Sequence, residues 1–343
     1  MKPIVKVLLT LFFITSNLLP QSLKNFQKLT GPYLGQEPPG TTPKLFAPGI
    51  VSTGFNERDV TITPKGDEIY FGLLTGKQIT IMCTKLVNGS WTEPEAAQFA
   101  NDDRFFYLEA CLSPDGNKIF YLSTYPPKGK EPKPRWTYQN IWTCERNSDG
   151  SWSEPFMDTV INQNNAQFYP SLTKDGTIYF TKNDSKTRKP EIYRSRMSVG
   201  KYLQPEKLPS IINREETTIY NTFISCDEDF LIACIDGIEN EFNPDIANYY
   251  VFFRDENDNW SDPVSFGPEI NMKGSVAMSA SVSPDGKYLF FAAQKLSDEN
   301  EQVLKNKTLA NFIRVSNSVQ NGNYDIYWVE ATVIDSLKDK TIK

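Results

Sequence analysis

Five times along the chain, an apolar run stops at a polar turn and then resumes. The copies read Ile-Thr-Pro-Lys-Gly-Asp-Glu-Ile-Tyr-Phe at 62–71, Leu-Ser-Pro-Asp-Gly-Asn-Lys-Ile-Phe-Tyr at 112–121, Leu-Thr-Lys-Asp-Gly-Thr-Ile-Tyr-Phe at 172–180, Ile-Ser-Cys-Asp-Glu-Asp-Phe-Leu-Ile at 224–232 and Val-Ser-Pro-Asp-Gly-Lys-Tyr-Leu-Phe-Phe at 282–291. Pro presets φ, Asp bonds the backbone ahead of it and Gly accepts a positive φ, so each copy predicts a β-hairpin. A second pattern follows four of them: Gly-Ser-Trp-Thr-Glu-Pro at 89–94, Gly-Ser-Trp-Ser-Glu-Pro at 150–155, Gly-Lys-Tyr-Leu-Gln-Pro at 200–205 and Asp-Asn-Trp-Ser-Asp-Pro at 258–263. Strand-like runs precede these segments at 79–84, 140–145, 191–195 and 249–254, and a short stretch after each ends at Asn101, Asn162, Asn213 and Asn271. One repeat therefore holds about four strands within 50 to 60 residues, which is what a propeller blade requires.

The fifth repeat has a third strand at 324–329 but no aromatic-Pro segment after it. Residues 44–53 match the missing outer segment in their Pro and apolar positions, so they are expected to close the ring as the outer strand of the last blade. The fold class that follows is all-β, a five-bladed β-propeller rather than a six-bladed one, closed by an N-terminal outer strand. Its expected organisation is a signal peptide over 1–22, an extension over 23–43, one propeller domain over 44–335 and a C-terminal tail over 336–343.

The Ser-Pro-Asp-Gly-Lys-x-Leu-x-Phe pattern, fullest at 283–291, resembles the TolB-type WD40-like propeller repeat, and the likeness runs over nearly all of the chain after residue 43. Members usually carry more blades than the five repeats seen here. The resemblance implies periplasmic or extracellular interaction and scaffold roles.

The net charge of −6 and the lack of a long Lys/Arg stripe argue against nucleic acid or an anionic membrane surface as partner. The chain contains 0 His, which removes the usual general base and the commonest zinc ligand. Lys2 and Lys6 precede an apolar run from 7 to 19, the pattern of a secretory signal peptide with cleavage near Gln21 or Ser22, so a periplasmic or secreted, soluble protein is expected. The five cysteines show no metal-type spacing, and Cys83, Cys111, Cys144, Cys226 and Cys234 read first as small buried hydrophobes, with one disulfide open as an alternative.

Aligning the turns also aligns the start of each innermost strand. Asp59, Glu109, Tyr169, Asn221 and Ser279 fall in register, preceded by Arg58, Leu108, Phe168, Tyr220 and Met278, and before those by Glu57, Tyr107, Gln167, Ile219 and Ala277. A polar ring at one depth of a channel predicts a wet mouth, on the face that also carries the long loops 125–138 and 294–323. The candidate binding set is Arg58, Asp59, Tyr107, Glu109, Phe168, Tyr169, Tyr220, Asn221 and Ser279, with Trp136 as a loop contact. Polar lining that merely holds channel water is the plainer alternative. Ser297 is expected to cap a helix running to about Phe312.

The sequence holds no coherent catalytic set, metal motif or cofactor motif, so the leading expectation is a monomeric binding or scaffold protein that engages a cell-envelope protein or glycan. The alternative is a carbohydrate-active hydrolase or lyase using Asp59 and Glu109. Trp91, Trp152, Tyr202 and Trp260 recur with the blades and read as packing residues. The acidic turns at 227–229 and 255–258 lack calcium-loop spacing.

Overall fold

The computed structural model describes residues 26–163, 165–240 and 242–341, so the expected signal peptide lies outside the described residues. Each turn-flanked repeat forms its hairpin: Asn56–Ile62 with Glu68–Thr75, Tyr107–Leu112 with Lys118–Ser123, Gln167–Leu172 with Ile178–Asn183, Thr218–Ile224 with Phe230–Asp236, and Ala280–Val282 with Tyr288–Leu296. Third strands follow at Gln78–Val87, Asn140–Glu145, Pro190–Ser195, Asn248–Phe253 and Asn321–Glu330. Together they make a five-bladed β-propeller. In the second and fifth turns, Oδ1 of Asp115 and Asp285 accepts the backbone N–H two residues on, at 3.0 and 3.2 Å, which is the bonding the Pro-Asp-Gly pattern predicts. The fourth turn has no Gly; Glu228 takes the left-handed position at φ 61°, with its carboxylate held by Arg254 at 2.7 Å and by the Tyr179 hydroxyl of the third blade.

The outer strands are short: Glu95–Ala96, Glu206–Lys207, Val264–Ser265 and, in the second blade, a single bridge between Phe156 and Thr143. The recurring Asn explains how such short strands hold. Asn162, Asn213 and Asn271 each accept the N–H of a third-strand residue through Oδ1 and return Nδ2 to the carbonyl of that residue, at Ile141, Ile192 and Tyr249. Asn101 is exposed and does not; that blade keeps the backbone bond from the Ala97 N–H to the Ile81 carbonyl at 2.8 Å, as the third blade keeps that from the Leu208 N–H to the Ile192 carbonyl.

The apolar core is five clusters, and each spans a boundary between blades or the seam rather than a blade's interior. The recurring aromatics belong to these boundaries. Trp152 of the second blade donates Nε1 to the Tyr70 hydroxyl of the first at 3.0 Å, beneath the Arg146 guanidinium at 3.9 Å from its ring. Arg146 in turn pairs with Glu68 at 2.7 Å. The five cysteines are all free thiols, and Cys226 is the exposed one among them.

The N-terminal segment closes the ring as expected. Lys44–Leu45 pairs antiparallel with Asn321–Glu330, the Phe46 N–H continues to the Ile326 carbonyl at 2.8 Å, and the Ser52 hydroxyl both donates to Ile326 O and accepts from Ile326 N. Phe46 is fully buried, with its ring 5.0 Å from Phe290 and 5.3 Å from Trp328. The long insertion of the fifth blade corrects the single helix expected to about Phe312: α1 (Asp298–Leu304) is capped by Ser297 as anticipated, but Thr308 caps a separate α2 (Leu309–Ser316). The described part of the expected tail is helical: α3 (Thr332–Thr341) extends into it and buries Ile334 and Leu337 against the core shared by the fourth and fifth blades.

Truncating Phe46→Ala removes the largest side chain that the N-terminal segment buries in the seam. A loss of about 3–5 kcal/mol is expected, read by urea denaturation, whereas a loss below about 1 kcal/mol would mean that the seam does not hold the ring.

Candidate functional site

The aligned polar ring is brought together, but as a closed belt rather than the wet mouth expected. Each of the first four innermost strands slips register at the ring residue, which sits in the left-handed region: Asp59 (φ 61°), Glu109 (59°), Tyr169 (53°) and Asn221 (50°). A bulge turns one backbone N–H out of the ladder, and a buried N–H must find an acceptor. Here it finds one on the preceding blade. The Asp59 N–H donates to Ser279 Oγ (3.1 Å), the Glu109 N–H to Asp59 Oδ2 (3.3 Å), the Tyr169 N–H to Glu109 Oε2 (2.8 Å) and the Asn221 N–H to Thr181 Oγ1 (3.0 Å). Tyr169 crosses the channel, where its hydroxyl donates to the Ala280 carbonyl and accepts the Ala280 N–H, and Asn221 Nδ2 reaches the Met278 carbonyl at 2.7 Å.

Arg58 completes the belt. Its Nε donates to Asp59 at 2.8 Å and its Nη2 to Glu109 at 3.0 Å. Burial alone would lower the Arg58 pKa, but the two adjacent carboxylates override it and hold the guanidinium charged. Burial pushes Glu109 up to about 7, with Arg58 pulling it back and Asp59 pushing it further; Asp59 is raised for the same first reason. Ser279 is buried in the belt, whereas Tyr107 is buried in the apolar boundary between the first and second blades with its ring 6.1 Å from Tyr121; Phe168 and Tyr220 are half-buried, and Trp136 is 42% exposed on its loop with its ring 5.0 Å from Phe106.

The cavity that the ring residues line lies on the other side. The start of an innermost strand pairs with the end of the second strand, beside the long loops, while its last residues run into the Pro-Asp-Gly turn. A cavity of about 440 Å³ occupies the turn side, floored by Asp59, Glu109 and Tyr169 and walled by Ile62, Leu112, Leu172, Phe223 and Val282. Ala331, Ile334 and Asp335 border it from the start of α3. The cavity therefore opens on the face opposite the long loops, whereas the sequence predicts the mouth beside those loops. Sequence reasoning missed the wall, although its signal was present: Ile62, Leu112, Leu172 and Val282 each stand three residues after a ring position and open the repeat.

No family model matches the chain, and no curated protein matches it in sequence. Among solved structures it is similar to TolB from Acinetobacter baumannii (14% identity, TM-score 0.44, covering 81% of this chain and 57% of that one). The chain thus spans a little over half the length of TolB, whose repeat type the turns resemble. It is also similar to a glycoside hydrolase (10% identity, TM-score 0.49, 87% of this chain and 93% of that one) and to the hydrazine synthase of Kuenenia stuttgartiensis (10%, 0.40, 79% and 85%). Likenesses at this level say nothing about function, and the propeller stands on the chain's own blades. Among the described residues, no helix is long and apolar enough to cross a membrane.

Buried carboxyls held above their ordinary range, Asp59 among them, set the alkaline side of the pH response. Burial raises Glu109, Glu57 and Asp325 to about 7, with Thr53 donating to Glu57 and the Gln320 N–H to Asp325. The folded state holds their protons more tightly than the unfolded chain, so their contribution to stability is complete below the ordinary carboxyl range and is lost as pH rises toward about 7. Carboxylates held low act in the opposite sense as pH falls, among them Asp258, bound first by Arg194, and Glu206. A stability maximum in mildly acidic solution is expected, and Asp325→Asn should flatten its alkaline side; urea midpoints that stay constant from about pH 5 to about pH 8 would contradict it.

Proposed function

We propose that the protein is an exported, non-catalytic binding module, monomeric and without a cofactor, that takes a ligand of the cell envelope in the cavity on its turn face. The reading is supported by an apolar-walled cavity of about 440 Å³, within the range of small-molecule sites, whose floor carboxylates are already engaged. Asp59 accepts from Arg58 and from the Glu109 N–H, and Glu109 accepts from Arg58 and from the Tyr169 N–H. Groups bound in this way define a surface; a glycosidase instead needs one carboxyl to release a proton and the other to attack or activate water. Export rests on the signal-like pattern of residues 1–22.

The hydrolase or lyase reading retains one favourable observation, the raised Glu109 beside Asp59 at the cavity floor. Two variants separate the readings. Val282→Trp places a bulky ring at the half-buried cavity wall and is expected to abolish retention of the envelope ligand, by glycan array or pull-down, with the circular dichroism spectrum unchanged. Undiminished binding by this variant would place the site elsewhere on the propeller. Turnover of a glycan by the wild type that vanishes in Glu109→Gln, with the fold intact, would establish the enzyme instead.

A further inference from the structure

We infer that the cavity on the turn face selects a small organic cation with an apolar body, its amine or guanidine directed at the floor. The inference rests on the cavity being the ligand site and names what that ligand must be. Among the described residues that line the cavity, none is Lys or Arg, while Asp59 and Glu109 lie at the floor and Asp227, Asp229, Asp285 and Asp335 nearer the mouth. Overall composition does not account for this one-sidedness, because the chain carries 36 Lys and Arg against 42 Asp and Glu. Arg58 does not line the cavity, and it is shared by two carboxylates, so the belt presents a net negative charge to the space when both are ionised.

The walls decide the rest of the ligand. Ile62, Leu112, Leu172, Phe223 and Val282 offer apolar area, and the nearby hydroxyls are already spent. Ser171 Oγ donates to the Thr222 carbonyl at 2.9 Å and Ser281 Oγ to the Val60 carbonyl at 2.7 Å. A sugar would leave several of its hydroxyls without partners against such walls, and an anion would meet an excess of carboxylates, since Arg58 offsets one charge of the Asp59–Glu109 pair and Lys287 that of Asp285 at 3.0 Å, while Asp227, Asp229 and Asp335 add theirs. An amine on an aromatic or aliphatic body loses neither way: its body covers the walls and its charge meets the floor.

The test uses three probes that share an indole body, namely tryptamine, tryptophol and indole-3-propionate, titrated calorimetrically into the mature protein. Tryptamine is expected to bind at least about tenfold more tightly than tryptophol, with the propionate weakest, and to weaken as salt is raised. Cys226, the exposed thiol that lines the cavity, locates the site: tryptamine should slow its alkylation by iodoacetamide, and the propionate should not. Asp227→Asn with Asp335→Asn, both exposed positions, should weaken tryptamine about threefold and leave tryptophol unchanged. Equal affinities, or a preference for the anion, would overturn the cationic ligand while leaving the cavity as a binding site. Failure of all three probes to bind or protect Cys226 would also overturn it, and if Val282→Trp then retained the envelope ligand, the cavity reading would fall as well.

Discussion

The structure turns on a requirement that comes from its own backbone. Four innermost strands bulge at one depth, and each bulge frees an N–H in a place where water is excluded. Leaving such a group unpaired costs about 1–3 kcal/mol, so each blade needs an acceptor supplied by its predecessor. Ser279, Asp59, Glu109 and Thr181 supply it, one blade to the next. Neighbouring blades are thereby keyed to one another at the axis, while the aromatic clusters hold them together further out. The polar residues of the ring are consequences of this geometry before they are anything else.

Arg58 adds a buried ion cluster to the belt, and the usual judgement on such clusters applies. Attraction between Arg58 and its two carboxylates is offset by the cost of taking all three out of water, which is why Glu109 rises to about 7 despite the guanidinium beside it. The cluster is therefore better understood as fixing which blade faces which than as a source of stability. An apolar filling of the same volume would give the bulge N–H groups of Glu109 and Tyr169 no acceptor.

Most of the fold was legible because every blade repeats the same local chemistry. Turn residues located the hairpins, the aromatic-Pro segments located the outer strands, and the unmatched segment at 44–53 pointed to the seam that Phe46 and Ser52 now fill. What misled was the meaning of polarity. A side chain that accepts a bulge N–H and one that faces water look the same in sequence, since a bulge leaves no mark except a polar residue in an otherwise apolar strand. The α2 start was also hidden, because the break at 305–308 carries neither Gly nor Pro to mark it. The run after 335 looked like a tail because, among its described side chains, Leu337 is the buried hydrophobe.

The belt crosses the channel at the depth of Asp59 and Tyr169, with the loops and helical insertion on one face of the propeller and the cavity on the other. Its floor residues are the same atoms that key the blades, and Tyr169 spans the channel to Ala280. A cation settling against Asp59 and Glu109 would favour their ionised forms and tighten their hold on Arg58 and on the neighbouring N–H groups. If the proposed cation binds, occupancy and the packing of the ring become two readings of one set of hydrogen bonds, and filling the cavity stabilises the ring.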